Sequence, residues 1–190
     1  MVTPPAEATE ATAETEATAL EAELRGIAGS VPDPELLVVS LAELGVLRGL
    51  HLLAPGRVEV ELTPTYTGCP AMEAMSADVE RALREHGVAE VTVRTVLSPP
   101  WTTDAITAEG RRKLAEFGIA PPRPGTGGSA GAGADASGSG GPVAVNLAIR
   151  CPHCGSTDTT LLSRFSSTAC KALRRCTSCR EPFDHFKELL

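Results

Sequence analysis

Aromatic residues are scarce: one Trp, one Tyr and four Phe make up 3% of the 190 residues. Any core must therefore be aliphatic, and a 42% hydrophobic content is enough for a modest one. The same scarcity removes the stacking platform on which single-stranded nucleic acid lies. Positive charge is also short. Seventeen Lys and Arg stand against 24 Asp and Glu, for a formal net charge of −7, which argues against a nucleic-acid partner. No apolar run approaches the length of a membrane span. The first residues, rich in Ala, Thr and Glu, lack the basic start and apolar stretch of a secretory signal. Together these absences predict a cytoplasmic protein with no membrane contact. In a reducing compartment, six cysteines favour metal over disulfides.

What is present is unevenly spread. Residues 1–25 carry six Glu and one Arg, whereas residues 143–190 carry seven Lys and Arg against four Asp and Glu. Residues 1–23 read as a disordered acidic tail. Residues 121–142, almost entirely Pro, Gly, Ala and Ser, read as a flexible linker. A first domain over 24–120 and a second module over 143–190 remain. The fold expected is α/β, a small mixed-sheet domain followed by a metal ribbon.

Within the first domain, Asp33-Pro34-Glu35 predicts the start of a short helix running to about Glu43 and stopped by Gly45. Val46–Leu53 and Arg57–Thr63 predict a hairpin, the second strand alternating Val58, Val60 and Leu62 with Glu59 and Glu61. Met72, Met75, Val79 and Leu83 recur at helical spacing after Pro70. Ala89–Leu97 alternates again as a third strand. A last helix is expected over Ala108–Phe117, stopped by Gly118.

Cys151-Pro-His-Cys154 and Cys176-Thr-Ser-Cys179 are two C-x-x-C turns with 21 residues between them. Each turn presents two thiolates, and two turns close a tetrahedron around zinc. Strand-like Thr159–Phe165 and Ala172–Arg175 lie between, which describes a zinc ribbon. About fifty residues bury too little surface to fold with ease, and structural zinc supplies roughly 10–16 kcal/mol to such a peptide. Two disulfides or four free thiols are the alternatives, and four sulfurs would also take iron. His153 is expected to point outward, and His185 is at best a substitute ligand. Cys170, beside Lys171, is either a plain buried thiol or one activated by the neighbouring cation.

The second strand, the helix after Pro70 and the third strand make a βαβ unit, whose strands run parallel. The loops after them should share one sheet edge, where α/β folds bind ligands. Cys69 lies in the first loop with Thr67, beside the expected helix start, where the dipole would stabilise a thiolate. Trp101, Thr102, Thr103 and Asp104 could face it, and Asp33 and Glu35 could approach. A merely structural Gly-Cys-Pro turn is the competing reading. No His is placed to pair with Cys69, which argues against a Cys–His hydrolase.

Asp33-Pro-Glu35, Thr63-Pro-Thr-Tyr-Thr-Gly-Cys-Pro-Ala71 and Leu97-Ser-Pro-Pro-Trp-Thr-Thr-Asp104 resemble the iron–sulfur-assembly domain of the MIP18 (DUF59) family. With the ribbon, Phe165-Ser-Ser-Thr-Ala-Cys-Lys-Ala-Leu173 and Glu181-Pro-Phe183, the whole is similar to the D-subunit family of phenylacetyl-CoA epoxidases, of bacterial phenylacetate degradation. The resemblance implies a non-catalytic maturation role, with a transient iron–sulfur cluster as cargo. It implies partners in the iron–sulfur reductase subunit and other oxygenase subunits, and a homodimer could complete the cluster's ligands. It makes Cys69 the transfer position, with Cys170 as a second candidate thiol, and Cys151, Cys154, Cys176 and Cys179 the ligands of structural Zn2+. One departure stands out: Arg180 replaces the glycine expected after the second C-x-x-C turn. The alternative function is a structural or electron-transfer subunit of the oxygenase, with iron in the ribbon. A nucleic-acid-binding ribbon finds little support beside the overall charge.

Overall fold

The computed structural model describes residues 6–66, 68–123 and 148–188, with side chains from residue 15 onward. The chain divides into two compact units, Met1–Trp101 and Thr102–Leu190.

The first unit opens with helix α1 (Ala6–Ser30). The expected disordered tail is therefore helical from Ala6; residues 1–5 lie outside the described residues. Ala and Glu are strong helix formers, and the end of α1 carries an apolar stripe in which Leu24 and Ala28 are buried. That stripe packs on strand β1 (Leu47–Ala54). A Cβ on Gly29 would lie 3.0 Å from the Cβ of Ala42. Gly29 is thus what lets α1 approach α2 (Leu41–Leu44) so closely.

Helix α2 is shorter than expected. Asp33 caps a turn rather than a helix: its Oδ1 accepts the N–H groups of Glu35 and Leu36, both at 2.8 Å. Such local bonding competes with helix formation. The helix begins only at Leu41, behind a Ser40–Glu43 capping box, and Gly45 (φ 73°) stops it as expected.

Strand β2 (Arg57–Leu62) pairs antiparallel with β1, and β3 (Glu90–Thr95) pairs parallel with β2. Helix α3 (Met72–Glu85) links β2 to β3. Val58, Val60 and Leu62 are buried, as are Met75, Val79 and Leu83 of α3, which makes the aliphatic core that composition required. Leu62 pairs with Thr95, so both strands end at one sheet edge. The loop after β3 is pinned by Arg48, whose Nη2 donates to the carbonyls of Pro99 and Pro100 at 3.2 and 3.1 Å. Trp101 ends it, buried.

The second unit begins with a single 3-10 turn, Thr103–Ala105, then α4 (Ala108–Glu116) and β4 (Ile119–Ala120). The ribbon strands β5 (Thr159–Ser163), β6 (Lys171–Cys176) and β7 (Pro182–Phe186) follow. The sheet runs β4-β7-β6-β5, with β4 parallel to β7 and the other pairs antiparallel. The boundary expected at 120/121 therefore moves to Trp101/Thr102, and α4 and β4 fold with the ribbon. The reason is core volume. Ala120 adds its side chain to the ribbon's Ile149, Cys151, Cys176 and Phe183 in one apolar cluster. Of the expected linker 121–142, Pro121–Arg123 are described, and Arg123 pairs with Glu188 at 2.9 Å; residues 124–142 lie outside the described residues. No described helix is long and apolar enough to cross a membrane.

Candidate metal centre and thiol loop

Cys151 and Cys154 lie in the turn before β5; Cys176 ends β6 and Cys179 closes the next turn. Their four Sγ atoms lie within 4.8 Å of one another. Cys151 and Cys179 are 3.7 Å apart, Cys154 and Cys176 3.6 Å. A tetrahedron with zinc–sulfur arms of about 2.3 Å needs sulfurs about 3.8 Å apart, so the set fits a tetrahedral metal ion. The turns are tied across the site by Ser156 and Ser178 Oγ (2.8 Å) and by the Thr177 N–H on the Asp158 carbonyl (2.8 Å).

The thiols are electrostatically unequal. The backbone N–H of Cys179 pulls Cys176 down to about 6. The N–H of Glu181 also lowers Cys179, but burial and the three neighbouring sulfurs outweigh it and push that thiol up to about 12. Four thiolates this close need a cation among them. His153 is exposed, as expected, and takes no part in the cluster.

Gly155 (φ 74°) and Arg180 (φ 66°) follow the two turns in the same left-handed conformation. The departure at Arg180 is thus a departure in residue and not in backbone. A side chain in this region costs on the order of 1 kcal/mol. Arg180→Gly is expected to raise the thermal stability of the metal-loaded protein by about 0.5–1 kcal/mol, read from melting curves.

Cys170, read from the sequence as either a plain buried thiol or a second transfer candidate activated by Lys171, is buried. Its sulfur lies 3.1 Å from Thr168 Oγ1. The Lys171 ammonium that was to activate it is instead committed to Asp184, at 3.4 Å.

Cys69 is half-buried in the loop after β2. It is not at the helix start: α3 begins at Met72, with Ala71 as N-cap. Burial pushes its thiol up; the Ala71 N–H and the Tyr66 side chain pull it down, while the charges of Glu35 and Asp33 push it up further. The low thiolate pKa expected from a helix dipole is therefore overturned. Asp33 and Glu35 do approach Cys69, as the sequence allowed. Trp101 is not an open cleft residue: it is 5% exposed, and its indole N–H donates to the Leu44 carbonyl at 3.0 Å. Thr102, Thr103 and Asp104 belong to the second unit, where Thr103 is fully buried and Asp104 exposed; Thr67 lies outside the described residues. Sequence reasoning did not single out Tyr66, which touches the thiol, although it is the single tyrosine and lies three residues before the cysteine.

Residues 136–187 match the PaaD zinc beta ribbon domain, and residues 21–97 match the iron-sulfur cluster assembly protein family. Over 165 residues the chain is 42% identical to an Escherichia coli (strain K12) protein provisionally named as the D subunit of 1,2-phenylacetyl-CoA epoxidase, covering 87% of this chain and 91% of that relative. The chain belongs to the D-subunit family of phenylacetyl-CoA epoxidases. An Fe-S protein maturation auxiliary factor of Porphyromonas gingivalis (strain ATCC BAA-308 / W83) is 30% identical over 86 residues, which is 45% of this chain and 81% of that protein. The crystal structure of a DUF59 domain from Bacillus anthracis superposes with a TM-score of 0.50 at 26% identity, covering 53% of this chain and 96% of the domain. This member of the D-subunit family thus joins a DUF59-like α/β domain to a zinc ribbon domain with a metal-binding cysteine cluster. Helix α4 and β4 lie in the stretch that neither family model covers.

Proposed function

We propose that this chain is a non-catalytic accessory factor of a phenylacetyl-CoA epoxidase system. It aids iron–sulfur cluster assembly on the reductase component in the cytoplasm, with structural zinc in the ribbon. The observation that carries the reading is the setting of Cys69: a half-buried thiol beside two carboxylates, at the edge where β2 and β3 both end.

The raised pKa changes how such a thiol would act. With Asp33 and Glu35 nearby, the free thiolate is disfavoured, so the sulfur stays protonated at neutral pH until a cation meets it. Iron of an incoming cluster displaces the proton as the S–Fe bond forms. When the client's thiolates take the iron, that bond breaks and the sulfur is reprotonated. The same carboxylates attract the iron and penalise the bare thiolate, which makes the ligation easy to reverse. One cysteine cannot hold a cluster. The remaining ligands would come from the client or from Cys69 of a second copy.

Cys69→Ser, which changes one half-buried atom, is expected to leave the melting temperature within about 2–3 °C of wild type. It is expected to abolish the gain in iron and sulfide content that the protein gives to the reductase component. Full loading with the variant would overturn the proposal. The four-sulfur set would also serve iron in an electron-transfer subunit. Purified metal-loaded protein without visible absorption favours zinc, and a red iron–tetrathiolate spectrum favours the electron-transfer reading.

A further inference from the structure

A second site lies on the ribbon sheet, independent of Cys69. Ala172 of β6 and His185 of β7 are register partners and form the floor of a groove of about 390 Å3. Leu161 of β5 and Phe165 line it, yet they are 48% and 64% exposed. Arg164, Arg174 and Lys187 bring three positive charges to its walls. The Lys187 ammonium lies 4.6 Å from the centre of the Phe165 ring. One acid also lines the groove, Glu188, but its carboxylate is held by the Arg123 guanidinium at 2.9 and 3.2 Å.

His185 points to what the groove is for. It is 8% exposed, and its Nε2 is buried with no hydrogen-bond partner among the described residues. Such an orphaned nitrogen is costly unless something completes it. Burial, with Arg174 and Arg123 against Glu188, drives its pKa down to about 4, so the ring is neutral and offers Nε2 as a donor in its Nε2–H tautomer. Among the described residues of the ribbon, none fills this role. Around the groove the local charge is positive on an otherwise acidic chain.

We propose that this groove docks an acidic segment of a partner protein, one carboxylate seated between His185 Nε2, Arg164 and Lys187 and a neighbouring apolar side chain against Leu161 and Phe165. The chemistry favours this occupant over a basic or a purely apolar segment of the same size. A basic segment would meet three cations, and a purely apolar one would leave His185 unpaired. Strand β5 supports an extended partner, since it is the edge of the sheet and has β6 on one side only.

The test uses the full chain with its metal bound. Three blocked peptides of equal length are titrated into it, with alternating Leu and Glu, Leu and Gln, or Leu and Lys, alongside inorganic phosphate and glutarate. The expected result is that the Leu–Glu peptide alone binds, shifts the His185 ring resonances, and weakens roughly tenfold in Arg164→Gln/Lys187→Gln. Raising salt from about 50 to about 500 mM should weaken it as well. Arg164 is exposed and Lys187 half-buried, and an unchanged melting curve and metal content show that the variant is folded. Equal binding of the Leu–Gln peptide, no effect of the double substitution, or phosphate or glutarate binding as tightly as the peptide would overturn the proposal.

Discussion

Removing the metal from the full chain is expected to unfold the ribbon and leave the first unit folded. Far-UV circular dichroism should lose the β signal of β5–β7 while the helices of α1 and α3 persist. Amide exchange should locate the loss to the described residues of the second unit, 102–123 and 148–188. The argument is one of magnitudes. The apolar cluster at the metal site is Ala120, Ile149, Cys151, Cys176 and Phe183, two of them metal-ligating thiols, and the described ribbon residues 148–188 add Cys170, Ala172 and Phe186 as buried apolar side chains. A core that small falls short of the entropy of ordering its strands, whereas binding of a tetrahedral ion supplies roughly 10–16 kcal/mol. Without the ion, four sulfurs within 4.8 Å repel as thiolates or are left with only weak thiol–thiol contacts. Cys176→Ser, at the fully buried position, should mimic metal removal. Cys154→Ser, at the exposed one, should weaken the metal but spare more of the fold. Ribbon amides that stay protected after the metal is gone would refute this account.

Trp101→Ala is expected to destabilise the first unit by about 3–5 kcal/mol, the usual range for deleting a buried aromatic side chain. Two effects add. The indole is 5% exposed, so its loss leaves a cavity. Its N–H also satisfies the Leu44 carbonyl at the end of α2. Trp101→Phe separates them: it keeps most of the packing and should cost about 1–2 kcal/mol for the lost hydrogen bond. Trp101 is the single tryptophan, so wild-type unfolding can be followed as a red shift of its emission, and the variants by circular dichroism. A cost below about 1 kcal/mol for the Ala variant would show that Trp101 does not anchor the loop after β3.

How much was legible depended on how local each signal is. The two C-x-x-C turns were readable because two ligands of each pair sit within four residues, and turn geometry alone faces them the same way. The strands β2 and β3 were readable from alternation, β1 as the hairpin partner of β2, and the parallel pairing of β2 with β3 from the helix between them. Helix α1 reads as a tail because Ala and Glu suit both a solvated tail and a helix; the burial of Leu24 and Ala28 against β1 decides between them. Strand β4 has two residues, too few to carry a periodic signal. Cys170 and Lys171 are adjacent in sequence, but Asp184 on the neighbouring strand takes the ammonium.

The sequence by itself determined the four-cysteine cluster, the α/β class and the run of β1, β2, α3 and β3, since spacing, periodicity and turn residues act over a few positions. Only the tertiary structure decided the state of each thiol and the extent of each unit. Burial, the carboxylates of Asp33 and Glu35 beside Cys69, and the pairing of β4 with β7 all arise between residues far apart in the chain. Desolvation and charge act through space, and no local pattern records them.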